Sequence, residues 1–528
     1  MQPERRMFLV HSARLLSLAS LATTLPATVR ARIKSYPFSL GVASGSPRPT
    51  SVVLWTRILP DPIDPQSVEP TPMAVGWEIA EDDAFKRIAA KGKATAMPEL
   101  AHSVHVDVTG LRPDRWYWYR FIVGDAVSPV GRTRTAPAAD AMPSLLHFAF
   151  ASCQHWEFGH YAAHRHIAAA APDLIAFLGD YIYEWGEYDL AHPGSPRNRS
   201  NESVTLNEYR SRYAQYKSDP HLQAAHQVAP WIVTWDDHEV ANDYGNDRDE
   251  RLDTNFLARR AAAYQAFYEH MPIRLPALPD GANRYAHLRI YDRYDWGKLA
   301  RFHVLDNRQY RSYQACPRAG RGGSNSVTSG CTERLESGRS LLGKQQETWL
   351  ANGFSSSEAK WNILAQQTLM AQNSQLPIAG SDDVRFWTDG WDGYPAARKR
   401  LFESLVEHRP ANPIVISGDV HTFYAADLKQ DFNRGTSVEN PVIATEFCGT
   451  SITSSSPGQA RTDRYVAQNP HIKYGRSDRR GFVIMEVTPA RTTAHFRALD
   501  DVRREDSGLS TLASFIVEDG RAGAVGTS

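Results

Sequence analysis

Two hydrophobic periodicities divide this chain. Between residues 38 and 137 short strand-like runs dominate, and apolar and polar positions alternate clearly over two of them. In "HSVHVDVTGLRPDRWYWYRFIVG", Val104, Val106 and Val108 share one face. Further on, Tyr117, Tyr119 and Phe121 oppose Trp116, Trp118 and Arg120. A period of two predicts half-buried strands, here an antiparallel pair joined across "TGLRPD". "SVVLWTRI" and "MAVGWEIA" add further strands, and "RTRTAPAADAMPS" reads as a linker. From Leu145 the pattern changes to short continuous apolar runs. They are interleaved with the helical stretches "YAAHRHIAAAA", "LNEYRSRYAQYKSD" and "NFLARRAAAYQAFYEHM". Continuous runs predict strands covered on both faces, so this part is expected to be an α/β domain.

The ends of these runs carry the candidate chemistry. "LLHFAFAS" leads to Cys153, "DLIAFLG" to Asp180, and "PWIVTW" to Asp236, Asp237 and His238. "ARFHVLDNR" leads to Asp306 and Arg308, "KWNILAQQ" to Gln366 and Gln367, and "NPIVISG" to Asp419 and His421. A Gly-Asp after one strand is commonly just a turn. Six apolar runs that each finish on a polar or ionisable group fit the rule that open α/β sheets bind ligands beyond the carboxyl ends of their strands. Brought together, several carboxylates, a thiol, a phenol and an imidazole need a cation to offset their desolvation. Other histidines receive the plainer reading. His102 and His105 are expected at a strand surface, and most of His155, His160, His164 and His166 are expected to be exposed around a helix start. Trp185, Trp387 and Trp391 are read as core residues or as walls of a pocket.

The motifs resemble a known family. "GDYIY" is similar to the Gly-Asp-x-x-Tyr motif of metallophosphoesterases of the purple acid phosphatase type. "WDDHEVANDYG" and "SGDVHTFYAADL" correspond to that superfamily's Gly-Asn-His-Glu and Gly-His-x-His motifs, with Asp237 replacing an amide and Asp419 an imidazole. With "FASCQ", "VLDNRQYR" and "WDGYPAAR", these substitutions resemble the alkaline phosphatase D (PhoD) family over nearly the whole chain. "G-L-x-P-x-x-x-Y-x-Y" resembles a fibronectin type III domain with its tyrosine corner.

The resemblance implies an α/β fold of metallophosphoesterase type, a β-sandwich flanked by helices, preceded by a small fibronectin type III-like antiparallel β-sandwich. The implied divisions are a twin-arginine signal peptide at 1–33, an N-terminal β-sandwich at 36–137, a catalytic domain at 145–515 and a C-terminal tail at 516–528. It implies a centre of Fe³⁺ with one or two Ca²⁺, other divalent metals being possible. The implied ligands are Cys153, Asp180, Tyr183, Asp237, Asn242, Asp419 and His421. Thiolate and phenolate suit a ferric ion, and oxygen donors suit Ca²⁺. His238 would assist the leaving group or hold phosphate, and Asp180 would bridge two cations. Arg308, Gln367, Tyr394 and Arg398 are candidate substrate contacts. The implied activity is hydrolysis of phosphate monoesters and diesters by metal-activated hydroxide. The alternatives are a phospholipase D-like or nucleotide-directed phosphodiesterase on the same centre, or, remotely, a non-catalytic β-sandwich binding protein.

Composition and the termini narrow the setting. The 528 residues carry 59 basic and 59 acidic side chains, so bulk charge gives no reason to expect nucleic-acid binding. Arg5-Arg6 before Phe8-Leu9, followed by the apolar stretch from Leu15 to Leu25, resembles a twin-arginine export signal. The chain is therefore expected to use that export machinery and to reside in the periplasm or outside the cell. The apolar stretch is too short for a stable membrane span. In an oxidising compartment, Cys316 and Cys331 are expected to pair across the loop "PRAGRGGSNSVTSG", while Cys153 and Cys448 are expected to be buried.

Overall fold

A computed structural model describes residues 35–186, 201–281, 283–375 and 383–527. The segment read as an export signal lies outside the described residues. The protein has a mixed α/β fold with several sheets and few helices. Two large sheets, of ten and seven strands, form its centre. Three strands of the first, Leu146–Ala151, Leu174–Phe177 and Trp231–Val233, run parallel as neighbours. Ala300–Val304, Trp361–Thr368 and Pro413–Gly418 do the same in the second. These are the continuous apolar runs of the sequence, and they are covered on both faces. Phe148, Phe150 and Ala176 of one sheet share a buried core with Phe302, Ile363 and Ile416 of the other.

Helices cover the outer faces. Ala162–Ala170, Leu206–Lys217, Pro220–Val228 and Phe256–His270 flank the first sheet, packing Ile167, Tyr213, Leu222 and Phe267 with Ile175 and Val233. Gly343–Ser355 and Pro395–His408 flank the second, where Leu350 and Leu401 meet Leu364 and Val415. Leu206–Lys217 starts at a capping box, in which Thr205 Oγ1 accepts from the Glu208 amide and the Glu208 carboxylate accepts from the Thr205 amide.

The predicted pairing of the alternating segments differs from the structure. Ser103–Thr109 pairs with Ser51–Arg57, whereas Trp116–Val123 pairs with Met73–Ala80 and Gly131–Arg134. The turn between them therefore crosses from one sheet to another, because each strand's apolar face buries against the opposite sheet rather than beside its sequence neighbour. Tyr117 Oη accepts from the Arg112 amide at 2.9 Å, bracing that crossing. "RTR" belongs to the strand Gly131–Arg134 rather than to a linker. Val42–Arg48 joins the ten-stranded sheet through a parallel contact of Gly45 with Trp231. The amino-terminal strands are thus continuous with the larger sheet.

The C-terminal residues are also part of the fold. Leu509–Glu518 and Arg521–Thr527 complete one edge of the ten-stranded sheet, so a tail beginning at 516 would cut through a strand. The predicted exposure of several histidines is corrected as well. His102 is buried and its Nε2 lies 3.1 Å from the Thr71 carbonyl. His105 stacks on Tyr268. His155 and His164 are both buried, the latter bonded through Nε2 to Gln154 at 2.6 Å.

Candidate metal centre

The parallel strands of both sheets direct their carboxyl ends to one place. Cys153 follows Leu146–Ala151, Asp180 follows Leu174–Phe177, and Asp236 and Asp237 follow Trp231–Val233. Asp419 and His421 arrive from the opposite sheet, after Pro413–Gly418. Donor atoms of Cys153, Asp180 and His421 lie within 4.8 Å of one another, as do those of Asp180, Asp237 and His238. Asp236, Asp237 and Asp419 form a third such group, and Asp237, Asp243 and Asp389 a fourth. Tyr183 completes the first group: its hydroxyl donates to Asp180 Oδ2 at 3.0 Å and lies 3.3 Å from His421 Nε2.

The backbone here is unusual. Cys153, Asp180, Asp243, Asp419 and His421 all have positive φ, between 53° and 62°. Such conformations cost energy for residues with a Cβ and collect where function overrides local preference. Cys153, Asp180, Asp419 and His421 turn the chain within three residues of a strand end and aim their donors into the shared space. Gly179 has φ +106°, and a Cβ there would meet Asp236 Cβ at 2.5 Å. Only glycine lets the Asp180 and Asp236 turns approach so closely.

Burial sets the electrostatics. It pushes Cys153, Tyr183, Asp180 and Asp236 well above their ordinary values, with neighbouring carboxylates adding for each. It also raises Asp419 to about 7, against the pull of Arg308. Asp237 differs: burial opposes ionisation, but Arg308 and His238 hold its carboxyl below the usual range. Burial opposes charge on His238 too, yet Asp237, Glu184 and Asp180 raise its affinity for a proton. Burial lowers His421 to about 3, and its Nδ1–H donates to the Ser455 carbonyl, which leaves the Nε2 lone pair facing the cluster. Asp180 Oδ1, Asp236 Oδ2 and Asp419 Oδ2 are buried with no hydrogen-bond partner among the described residues. Orphaned buried carboxylate oxygens are costly, and a cation would relieve each of them. The donor set fits a metal.

Other predicted residues are placed differently. Arg308 is fully buried and ion-paired with Asp236, with Asp237 at 3.5 Å and with Asp389 at 2.7 Å. Gln367 Nε2 donates to Thr234 Oγ1 at 2.7 Å and to the Trp235 and Leu305 carbonyls at 2.7 and 2.9 Å, tying the two sheets together. Tyr394 donates to the Ser312 carbonyl, and Arg398 donates to Asp392 and the Met370 carbonyl. All four are buried and bonded to the protein itself. The Asn242 side-chain Nδ2 donates to Glu250 Oε1 at 2.7 Å, and the neighbouring Asp243 is the residue grouped with Asp237. Trp391 lies in the core, its indole donating to Gln366, while Trp185 stands edge-on over His238.

Sequence reasoning missed two carboxylates that organise the site. Glu239 accepts backbone hydrogen bonds from Asp180 at 3.1 Å, Tyr181 at 2.6 Å and Asp236 at 2.8 Å, so one side chain fixes two ligand-bearing turns. Burial raises it to about 8, against those three donors. Glu184 binds His238 Nδ1 at 2.7 Å and the Asn242 amide at 2.6 Å, fixing the imidazole with Nε2 towards the cluster. Glu239 was visible within "DDHE", but the amides it binds are not marked there. Nothing in the local sequence marks Glu184. Cys316 and Cys331 are joined by a disulfide that closes the loop holding Ser324, whose hydroxyl and amide donate to Asp243. Cys448 is buried beneath Asp419 with its thiol towards the Gly418 carbonyl.

Comparison with known proteins places the chain among relatives. A family model described as PhoD-like phosphatase matches residues 148–496, and its N-terminal-domain counterpart matches residues 22–137. Alkaline phosphatase D of Bacillus subtilis (strain 168) is 43% identical, with 98% of this chain and 88% of that protein covered. A solved structure described as that of PhoD superposes with a TM-score of 0.87 at 43% identity, covering 94% of this chain and 93% of the other.

Proposed function

This chain belongs to the PhoD-like phosphatase family and is a phosphatase acting on phosphate esters; from that premise we propose that it is an exported Fe³⁺/Ca²⁺ enzyme that hydrolyses phosphate monoesters and diesters. Cys153, Tyr183, His421 and Asp180 would hold the ferric ion, since thiolate, phenolate and imidazole suit it. Asp180, Asp237 and Asp419 would hold one or two Ca²⁺, with Asp243 and Asp389 as further oxygen donors beside Asp237. When bound, the cations supply Lewis-acid polarisation of the phosphoryl group and an activated nucleophile. The observation that carries this reading is the meeting of soft and hard donors, several with orphaned buried oxygens, at the carboxyl ends of two facing sets of parallel strands.

The chain's own groups then have definite tasks. Glu184 holds the proton of His238 at Nδ1, so Nε2 is the atom that gives or takes a proton at the leaving oxygen. Arg308 neutralises Asp236 and Asp237 from behind and lowers the cost of keeping them ionised. Glu239 keeps the Asp180 and Asp236 turns in register. Export by the twin-arginine route follows from the Arg5-Arg6 segment. No helix among the described residues is long and apolar enough to cross a membrane.

The test is metal analysis of the enzyme purified without chelator, with turnover of p-nitrophenyl phosphate and bis-p-nitrophenyl phosphate. Iron and calcium are expected, with activity lost to EGTA and restored by Ca²⁺. Full turnover in calcium-free, EGTA-treated enzyme would overturn the calcium assignment. The two substrates report the monoester and diester activities separately.

A further inference from the structure

We infer that Ser454 is a positioning residue for the ferric site, donating a hydrogen bond to the Tyr183 oxygen and so setting how strongly that oxygen binds the metal. The inference rests on the assignment of iron to Cys153, Tyr183 and His421. It concerns the segment "GTSITSSSP", residues 449–457, which follows the strand Val442–Cys448 and for which sequence reading offers no role.

This loop bonds to each of the three softer donors. The amides of Thr453 and Ser454 donate to the Cys153 carbonyl at 3.4 and 3.3 Å, and the Ile452 amide donates to the Ser152 carbonyl at 3.0 Å. The Ser455 carbonyl accepts from His421 Nδ1, and Thr450 Oγ1 donates to the His421 carbonyl at 3.1 Å. Ser454 Oγ sits at the centre, 2.7 Å from the Tyr183 oxygen and 2.9 Å from the Cys153 carbonyl, and it accepts from the His155 amide at 3.3 Å. Ser454 is 1% exposed, so water does not compete for these bonds.

A serine hydroxyl has one proton to give. The Cys153 carbonyl already receives two backbone amides, whereas the Tyr183 oxygen has no other donor of this kind among the bonds the structure gives it. When Tyr183 is deprotonated, its oxygen becomes the stronger acceptor, and the Ser454 proton goes there. A hydrogen bond to a ligand oxygen stabilises the deprotonated, metal-binding phenolate over the phenol and orients the ring, and removing such an outer partner typically costs about 10–100-fold in metal affinity or activity.

The test uses the full-length, iron-loaded enzyme and reads its visible phenolate-to-iron absorption, its iron affinity, kcat and KM. In Ser454→Ala the band is expected to move to longer wavelength, because the phenolate electrons lose a stabilising proton, and iron is held about 10–100-fold more weakly. Ser454→Cys keeps the shape with a weaker donor and should fall between Ser454→Ala and wild type. Thr453→Val removes a loop bond to the His155 carbonyl without touching the phenol, and its band should stay in place. A wild-type band position in both Ser454 variants that retain iron would overturn this inference alone. Absence of iron and of any such band in the wild-type enzyme would overturn it together with the ferric assignment.

Discussion

Arg308→Met separates a structural from a substrate-binding role for the most buried cation of the site. The guanidinium contacts Asp236, Asp389 at 2.7 Å and Asp237 at 3.5 Å, all at the bottom of the cluster. One opposite-charge contact at 2.7 Å is worth about 6 kcal/mol at an effective dielectric of ~20, before desolvation is subtracted. The net cost of removing one partner of a buried pair is about 3–5 kcal/mol, because carboxylates are left buried and uncompensated. That is a large share of the ~5–15 kcal/mol that holds a typical protein folded. Urea denaturation of chelator-treated enzyme should show this loss, and added salt should not mask it, since the pairs are shielded from solvent. Ca²⁺ should restore part of the stability by supplying positive charge to the same oxygens. KM of the reconstituted enzyme should change much less than stability. Wild-type stability with a KM raised tenfold or more would refute the structural assignment and return Arg308 to the substrate.

Cys153→Ala should remove iron and most turnover while the fold persists; near-normal rates with stoichiometric iron would make Cys153 a packing residue. Glu239→Ala strands three buried amides and should cost at least ~3 kcal/mol together with metal retention, read by denaturation and metal analysis. His164 and His303 are buried, and burial depresses both to about 3. The unfolded chain takes up their protons first, so their stabilisation is intact above pH ~6.5 and lost as pH falls towards 3, by about 1.4 kcal/mol per unit for each. Urea midpoints measured from pH 7 to 4 should fall accordingly, and His303→Phe should flatten the slope.

The sequence disclosed the strand ends because buried strands leave continuous apolar runs, and a polar residue after such a run stands out. Cys153, Asp180, Asp237, Asp419 and His421 were legible for that reason. The structure brings their donor atoms into neighbouring groups. The protein partners of Arg308, Gln367, Tyr394 and Arg398 were not legible, since one guanidinium or amide can face a ligand or a backbone carbonyl from the same sequence position. Those partners, such as Asp389 for Arg308 and Thr234 for Gln367, lie far away along the chain. Pairing of the alternating strands was misread because period two reports the buried face and not the neighbour. His102 and His164 were misread because backbone carbonyls and Gln154 make burial of an imidazole tolerable, and local sequence does not reveal such partners.

The order of strands in the larger sheet governs when the site can exist at all. Leu146–Ala151, the strand that leads to Cys153, lies between Leu174–Phe177 and Gly481–Val487, with Phe150 opposite Val483. A nascent chain still on the ribosome can pair one side of that strand early, but the other side stays open until almost the whole polypeptide has been synthesised. Closing so distant a contact is slow, and an unpaired strand edge invites association with other chains in the meantime. The loop after Val442–Cys448 that buttresses Cys153 and Tyr183 also emerges late. Maturation of the donor cluster is therefore post-translational, and a molecule truncated before Gly481–Val487 would carry every candidate ligand while the strand leading to the first of them stayed unpaired on one side.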